Sequence, residues 1–270
     1  MKLLHKILLT TLSTMMIVFI IILSVNIVKT NSLAVEDARQ LAQSRASESA
    51  YQMQMELDYA MDTARTVASN LQAMVANHKG DRDLANEMLK QLLEHNDTFL
   101  GVWTIWEPNA FDGQDAHFAN LKGHDASGRF LPYWARSNKG VTLAPLEDYE
   151  TSDYYVLPKT LKQEVILEPL TYPIDGQEVL MTSTAIPIQI DGKVVGLVGI
   201  DISLETLVAI NNEIVLYDTG YSAIVSHKGS FVSHPSPDYV NRPVTEMEKY
   251  KSADKILSAV EQGKPYLVED

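Results

Sequence analysis

The sequence contains no cysteine, which rules out a disulfide framework and any thiolate metal site. Basic residues are scarce too: 22 Lys and Arg stand against 35 Asp and Glu, a formal net charge of −13 over 270 residues. No Lys/Arg-rich cluster interrupts that balance, and an acidic surface repels phosphate backbones, so nucleic acid is not an expected partner. Catalytic signatures are missing as well. There is no G-x-S-x-G, no H-E-x-x-H and no phosphate-cradling glycine loop; Gly196 and Gly199 lie inside a strand pattern, where glycine serves close backbone approach. An enzyme is therefore not expected, and neither is a cofactor. The loop with Asp112, Asp115, His117, His124 and Asp125 carries ligand-type residues, but Gly113, Gly123 and Gly128 mark turns and the spacing fits no known cage. No metal site is expected there.

One further absence is informative. From Ile7 to Val28 there is no charged residue, a run of 22, and at ~1.5 Å per residue it spans the ~30 Å core of a bilayer. The run is longer than the ~7–15 residues of a signal-peptide core, and Asn26-Ile27-Val28-Lys29 offers no small-residue cleavage site. A membrane anchor is expected. Lys2 and Lys6 precede it, whereas only Lys29 follows before Glu36 and Asp37, so the positive-inside rule leaves the N-terminus in the cytoplasm and the rest outside.

Neither Pro nor Gly occurs between Lys29 and Lys79. Ala46, Ala50, Met53, Leu57, Ala60, Ala64, Val67, Leu71 and Met74 recur at steps of four and three, the seam of a long helix rising from the membrane. That seam suits pairing with a second subunit, or packing as a spine on the domain that follows, with its lower part assigned to the subunit contact. His78-Lys79-Gly80 ends the helix, and Asp81 or Asp83 caps a second through Leu92. Then come short strand-like segments loaded with Trp, Tyr and Asp: GVWTIWEPN, GRFLPYWARSNKGV, EVILEPLTYPIDGQEVLMTSTAIPIQI and DGKVVGLVGIDIS. Asp175-Gly176 and Asp191-Gly192 are hairpin signals, because the turn demands positive φ. A short helix is expected at Asp153–Leu157, bounded by Pro158. Leu204 to Ile214 reads as a helix leaving the sheet; GYSAIVS, HKG and SFVSHP read as strand, turn and strand. A helical stretch from Thr245 to Gln262 follows, and another strand is expected to start at PYLVED.

These segments, in order, resemble a known family. W-x-x-W-E-P-N, G-R-F-L-P-Y-W, D-Y-Y-x-L-P-K, E-P-L-x-Y-P, M-T-S-x-x-x-P-I and G-x-V-G-I-D-I-S, behind a membrane helix and stalk, are similar to the double Cache sensor region of bacterial methyl-accepting chemotaxis receptors. The resemblance implies an α+β chain: N-terminal transmembrane helix, long stalk helix, a PAS-like antiparallel-sheet Cache module, and the start of a second module that reads as truncated. The expected boundaries are 1–6 for the cytoplasmic N-terminus, 7–28 for the membrane helix, 29–95 for stalk and capping helices, 96–203 for the membrane-distal module, 204–216 for a linker helix and 217–270 for the incomplete proximal module. It also implies a homodimer in the cytoplasmic membrane with its sensor region periplasmic or extracellular. Kinase and adaptor would be reached only through cytoplasmic parts that this sequence lacks, which marks it as a fragment or a truncated derivative. Because the same module also heads histidine kinases and diguanylate cyclases, an input domain of such an enzyme is the alternative.

Ligand pockets in such sheets are lined by aromatics and closed by a few placed polar groups. The candidate ligand-binding residues are Trp106, Tyr133, Trp134 and Arg136, then Tyr149, Asp153 and Tyr154 at the lid, and Tyr172 and Asp201 on later strands. By resemblance, amino-acid-binding members place an Arg before Pro-Trp-Tyr for the carboxylate and an Asp on a later strand for the amine. Here Leu131 precedes Pro132, and Tyr172 stands where that Asp is expected. Ring faces beside Asp153 and Asp201 suit a small cation, so an amine or quaternary ammonium compound is the first expectation. A small carboxylate held by Arg129 or Arg136 is the second.

Overall fold

The computed structural model describes residues 2–212, 217, 220–247 and 253–264. A single helix, α1, runs from Lys2 to Ala76, about 110 Å at the α-helical rise. The apolar run and the stalk form one uninterrupted rod, as the absence of Pro and Gly before Gly80 leads one to expect. Its N-terminal part is long and apolar enough to cross a membrane, with a mean hydropathy of 2.5 over a window of which none is buried. The rod stops where His78 turns to φ 54°, with the Lys79 N–H donating to the Met74 carbonyl at 2.9 Å and that of His78 to Val75 at 3.0 Å. This is a Schellman closure with His in the place glycine usually takes. Asp81 then caps α2, Arg82–Glu94, by accepting from the Leu84 N–H at 3.0 Å.

The sheet is antiparallel throughout. β1 (Gly101–Trp106) and β2 (Pro132–Ser137) are followed by β3 (Gly140–Pro145), α3 (Asp153–Leu161) and β4 (Val165–Ile166); β5 (Leu170–Ile174), β6 (Gln177–Ile190) and β7 (Lys193–Ser203) complete it. The order is β3-β2-β1-β7-β6-β4, with β5 paired on β6. Both expected hairpins form: Asp175 and Gly176 have φ 51° and 78°, Asp191 and Gly192 51° and 73°, two successive positive φ values that match the right-handed strand twist. Expectation and structure part at α3. It continues through Pro158 to Leu161, because Tyr155 and Lys159, on either side of the proline, are both fastened to Glu107.

Strand pleating sorts the side chains onto two faces. Val102 and Trp106 of β1, Trp134 of β2, Ile186 and Ile188 of β6 and Val198, Ile200 and Ile202 of β7 pack under the helices, against Ala60, Ala64, Val67, Leu71, Leu89 and Leu93. The alanines of the upper seam let α1 lie close to the sheet, so this stretch is a spine. Ala46 and Ala50 below it remain exposed. The opposite face carries Trp103, Ile105, Tyr133, Ala135, Met181, Ala185 and Leu197 under α3 and its flanking loops.

β7 runs directly into α4, Leu204–Asn212. There Ser49 of α1 donates to Asn211 Oδ1 at 2.8 Å in a buried contact, and the Asn211 amide donates to the Ser222 carbonyl at 2.8 Å. A two-stranded hairpin, β8 (Ile224–Val225) with β9 (Phe231–Ser233), and α5 (Ala253–Glu261) follow, around a small core of Phe231, Val244 and Met247. The helix expected from Thr245 is shorter: Val244–Glu246 is a single 3-10 turn, held where the Val244 N–H donates to Gly229. The end of the expected linker helix at residues 213–216 and the strand expected at residues 265–270 lie outside the described residues.

Candidate ligand-binding site

On the sheet face away from α1, four rings surround one carboxyl. Trp103 and Tyr133 are direct cross-strand partners on β1 and β2. Tyr154 reaches in from α3 and packs edge-on to Trp103, centroids 5.5 Å apart. Tyr172 of β5 meets Tyr133 at 5.4 Å and Tyr154 at 6.2 Å, both edge-on. Behind them, on β7 between Gly101 of β1 and Ser183 of β6, stands Asp201. Leu146, Leu170 and Met181 complete the lining of a small cavity of about 10 Å³, room for about one water molecule.

Glycine makes this convergence geometrically feasible at two positions. A Cβ on Gly199 would run into the Trp103 indole, so the missing side chain lets the ring lie across β7. A Cβ on Gly101 would stand 2.5 Å from the Tyr133 ring and 2.8 Å from Asp201 Oδ2. The same gap therefore admits both the ring and the acid.

Asp201 is 3% exposed. Trp103 Nε1 donates to its Oδ1 at 3.0 Å and Ser183 Oγ donates to the same oxygen at 2.6 Å. Tyr133 Oη lies beside the carboxyl, near enough to favour its ionised form but out of line for a fully formed hydrogen bond. Burial pushes the Asp201 carboxyl above its ordinary value, against the lowering effect of Ser183, Trp103 and Tyr133. Burial, followed by the charge of Asp201, likewise raises the Tyr133 hydroxyl. Tyr172, also chiefly through burial, is pushed up to about 12. No Lys, Arg or His lines the cavity. Outside it, sharing Tyr154, Leu170 and Tyr172, a groove of about 400 Å³ carries Glu147, Asp148 and Asp153 and no basic residue.

Of the residues singled out from the sequence, the structure brings together Tyr133, Tyr154, Tyr172 and Asp201. Asp153 sits at the exposed start of α3, on the rim groove. Trp106, Trp134 and Arg136 are placed on the helix side instead. Trp106 packs edge-on to Phe111 at 4.9 Å, and Trp134 Nε1 donates to Asn86 of α2 at 3.1 Å. Arg136 donates to the Leu93 carbonyl at 2.6 Å, closing the C-terminal end of α2. Tyr149 belongs to a separate polar cluster. Its hydroxyl donates to Asp125 at 3.0 Å and its ring lies 4.8 Å beneath the Arg129 guanidinium. Arg129 in turn donates to the Trp106 carbonyl and, at 3.0 Å, to Tyr155, whose hydroxyl reaches Glu107 at 2.5 Å. Lys159 closes this cluster on Glu107 at 2.8 Å.

Trp103, Ser183 and Met181 went unrecognised. In W-x-x-W the two tryptophans stand three residues apart and must face opposite sides of a strand. Which of them shares a face with Asp201 depends on the pairing of β1 with β7, a non-local fact. The acidic loop weighed for metal has another use. Asp112 and Asp115 both accept from Arg82, at 2.7 and 2.6 Å, and the Arg82 guanidinium stacks 4.1 Å over Phe118.

Residues 85–209 match the family model of the methyl-accepting chemotaxis protein-like first PDC sensor domain. The methyl-accepting chemotaxis protein TlpQ of Pseudomonas aeruginosa is 33% identical over 173 residues, 56% of this chain and 24% of TlpQ. The chain thus spans about a quarter of that relative's length. Among solved structures, the extracellular domain of a protein named as histidine kinase mmHK1S-Z3 is 34% identical with a TM-score of 0.77, covering 84% of this chain and 82% of that one. Methyl-accepting chemotaxis protein X is 26% identical with a TM-score of 0.74, covering 89% and 87%. With that family model matched and a relative at this identity covered over most of its length, the chain belongs to the Cache (PDC) sensor regions of methyl-accepting chemotaxis receptors and sensor histidine kinases.

Proposed function

We propose that the chain is the extracytoplasmic ligand-binding region of a chemotaxis receptor, and that the cavity behind Tyr154 and Tyr172 takes a small organic cation, an amine or a quaternary ammonium compound. The observation that carries this reading is Asp201: a carboxyl buried among four aromatic rings with no basic residue in the lining. An isolated buried carboxylate is strongly disfavoured unless something positive joins it. Ring faces attract the same kind of guest, each by about 0.5–2 kcal/mol. The acidic rim of Glu147, Asp148 and Asp153 and the net charge of −13 draw cations toward the mouth.

A ligand of several heavy atoms exceeds the present cavity, so entry requires Tyr154 and Tyr172 to swing outward with α3 and β5, the peripheral elements that bear them. A carboxylate ligand would need Arg129 or Arg136, and both guanidiniums are engaged elsewhere. A second copy would pair along the lower stalk, where Ala46 and Ala50 leave the seam exposed. Attachment to a histidine kinase output is the second reading, favoured by the likeness to the mmHK1S-Z3 domain. The full gene product decides between them: a long Glu/Gln/Ala-rich helical hairpin marks a chemoreceptor, a phosphoacceptor-histidine helix a kinase.

The ligand class is tested by calorimetric titration of the full chain in detergent micelles with choline and with acetate. Choline binding that disappears in Asp201→Ala and survives in Arg136→Ala is the expected result. Binding of acetate alone, intact in Asp201→Ala and lost in Arg136→Ala, overturns it.

A further inference from the structure

The two oxygens of Asp201 are not equivalent. Both fixed donors, Trp103 Nε1 and Ser183 Oγ, converge on Oδ1. Oδ2 faces the gap at Gly101 that it shares with the Tyr133 hydroxyl, each 2.8 Å from the point a glycine Cβ would occupy. That hydroxyl is buried and unpartnered. A proton on Oδ2 would give it a donor; a bare carboxylate would have the Tyr133 hydroxyl as its one neighbouring donor at Oδ2, and no counter-ion.

The groups that face Asp201 are Trp103 from β1, Tyr133 from β2, Tyr172 from β5, Ser183 from β6 and Tyr154 from α3, with apolar Leu146, Leu170 and Met181 around them. None is cationic near neutral pH. The adjoining groove carries the acids Glu147, Asp148 and Asp153 and no basic residue, so it supplies no positive charge to offset a carboxylate. Without a cation in the lining, the neutral carboxyl is the favoured form of the closed site.

We propose that the pocket is a proton-for-cation exchanger: empty, it holds a proton on Asp201 Oδ2, and an entering organic cation expels that proton to solvent, so the receptor's sensitivity to its ligand is set by pH. The step balances. One positive charge enters, one proton leaves, the Oδ2–H bond breaks with its electron pair kept by the carboxylate, and the Tyr133 hydroxyl turns to donate to Oδ2. The upward displacement of the Asp201 carboxyl by burial agrees with the geometry. Its sign fixes the direction of the effect. Below the empty-state pKa the cation must displace a proton and binds less tightly; above it the carboxylate is already bare and affinity is flat. The inference rests on the cation reading of the site.

Choline is the probe, because a quaternary ammonium has no titratable proton and every proton counted comes from the protein. The full chain in detergent micelles is titrated with choline chloride at a series of pH values, each in two buffers of different ionisation heat. Expected are a release approaching one proton per choline at the acid end and an affinity that rises about tenfold per pH unit there, then levels off. Asp201→Asn should bind choline more weakly, with no proton release and no pH slope. The wild-type protein alone decides the matter, so the outcome does not depend on the variant folding. Choline binding with identical heats in both buffers and a flat pH profile overturns the exchange and leaves the cation reading standing. No choline binding at any pH, in protein that melts cooperatively, overturns both.

Discussion

Two acidic groups are buried within the same module, and their surroundings could hardly differ more. Asp112 and Asp115, in the loop after β1, share the Arg82 guanidinium, which also donates to the Gly128 carbonyl and stacks on Phe118. Asp201, one sheet face away, has neutral donors and aromatic rings but no positive partner. The first arrangement completes its own charge balance and ties α2 to the loop. The second has no such cation in its lining, which is what the proposed ligand would supply. A buried charge that is paired points to architecture; one that is unpaired, within a lined cavity at a groove, points to a guest.

The comparison is broken most forcefully at Arg82. Arg82→Met should destabilise the module by about 3–5 kcal/mol, since it leaves two buried carboxylates without their cation. Urea unfolding followed by circular dichroism measures this, and a loss below about 1 kcal/mol would put the ion cluster among decorative contacts. Asp201→Asn is the counterpart. Near pH ~4 it should change stability by less than about 1 kcal/mol, because an amide retains the hydrogen bonds of the protonated carboxyl. It should nevertheless weaken choline binding by about 2 kcal/mol or more, roughly thirtyfold.

Acid titration sharpens the contrast, because the two sites pull stability in opposite directions. Burial raises the Asp112 carboxyl, but the hydrogen bonds from Arg82 and from the Gln114 N–H outweigh it and hold the group below its ordinary value. Its contribution is present above the unfolded carboxylate pKa and is lost as pH falls through the folded one. Asp201 is displaced upward, so stability falls as pH rises from the unfolded carboxylate pKa to the folded one, by about 1.4 kcal/mol per pH unit. Unfolding free energies of wild type and Asp201→Asn should therefore diverge toward neutral pH without ligand and converge near pH ~4. Parallel curves would mean that Asp201 carries its charge in the empty protein.

Smaller effects separate the two sheet faces. Tyr154→Leu should lower choline affinity by about 0.5–2 kcal/mol, the contribution of one ring face. Trp134→Phe, on the helix side, should leave it unchanged within about 0.3 kcal/mol, as expected of a side chain outside the pocket. Equal losses from both would erase the distinction between the faces.

Much of this architecture is legible in the sequence, for local reasons. Asp175-Gly176 and Asp191-Gly192 declare their turns, Asp81 its cap, and a stretch free of Pro and Gly its long helix. Tyr133, Tyr154, Tyr172 and Asp201 are recognisable because hydroxyl-bearing rings and a strand carboxylate make a poor dry core. What the sequence leaves open is parity. Tyr133, Trp134 and Arg136 look like one cluster in the chain, yet the pleat sends the first to the pocket and the other two toward α2. Trp103 and Trp106 divide in the same way, and only the register of β1 against β2 and β7 tells which indole reaches Asp201. That Tyr149 and Arg129 belong to a polar cluster of their own, and not to the pocket, is hidden for a related reason. Their cluster assembles from β1, the loop before β2 and α3, segments far apart in sequence.

The three tryptophans permit the most direct test of the central claim that the Trp103–Asp201 cavity is where the ligand binds. In the double variant Trp106→Phe, Trp134→Phe, Trp103 is the sole indole, and its fluorescence reports on this one site. Titration of the full chain in micelles with choline should give a saturable change in that emission, absent with acetate and displaced about thirtyfold or more to higher choline by adding Asp201→Asn. A saturable response to acetate, or a choline midpoint that Asp201→Asn leaves in place, would contradict the account.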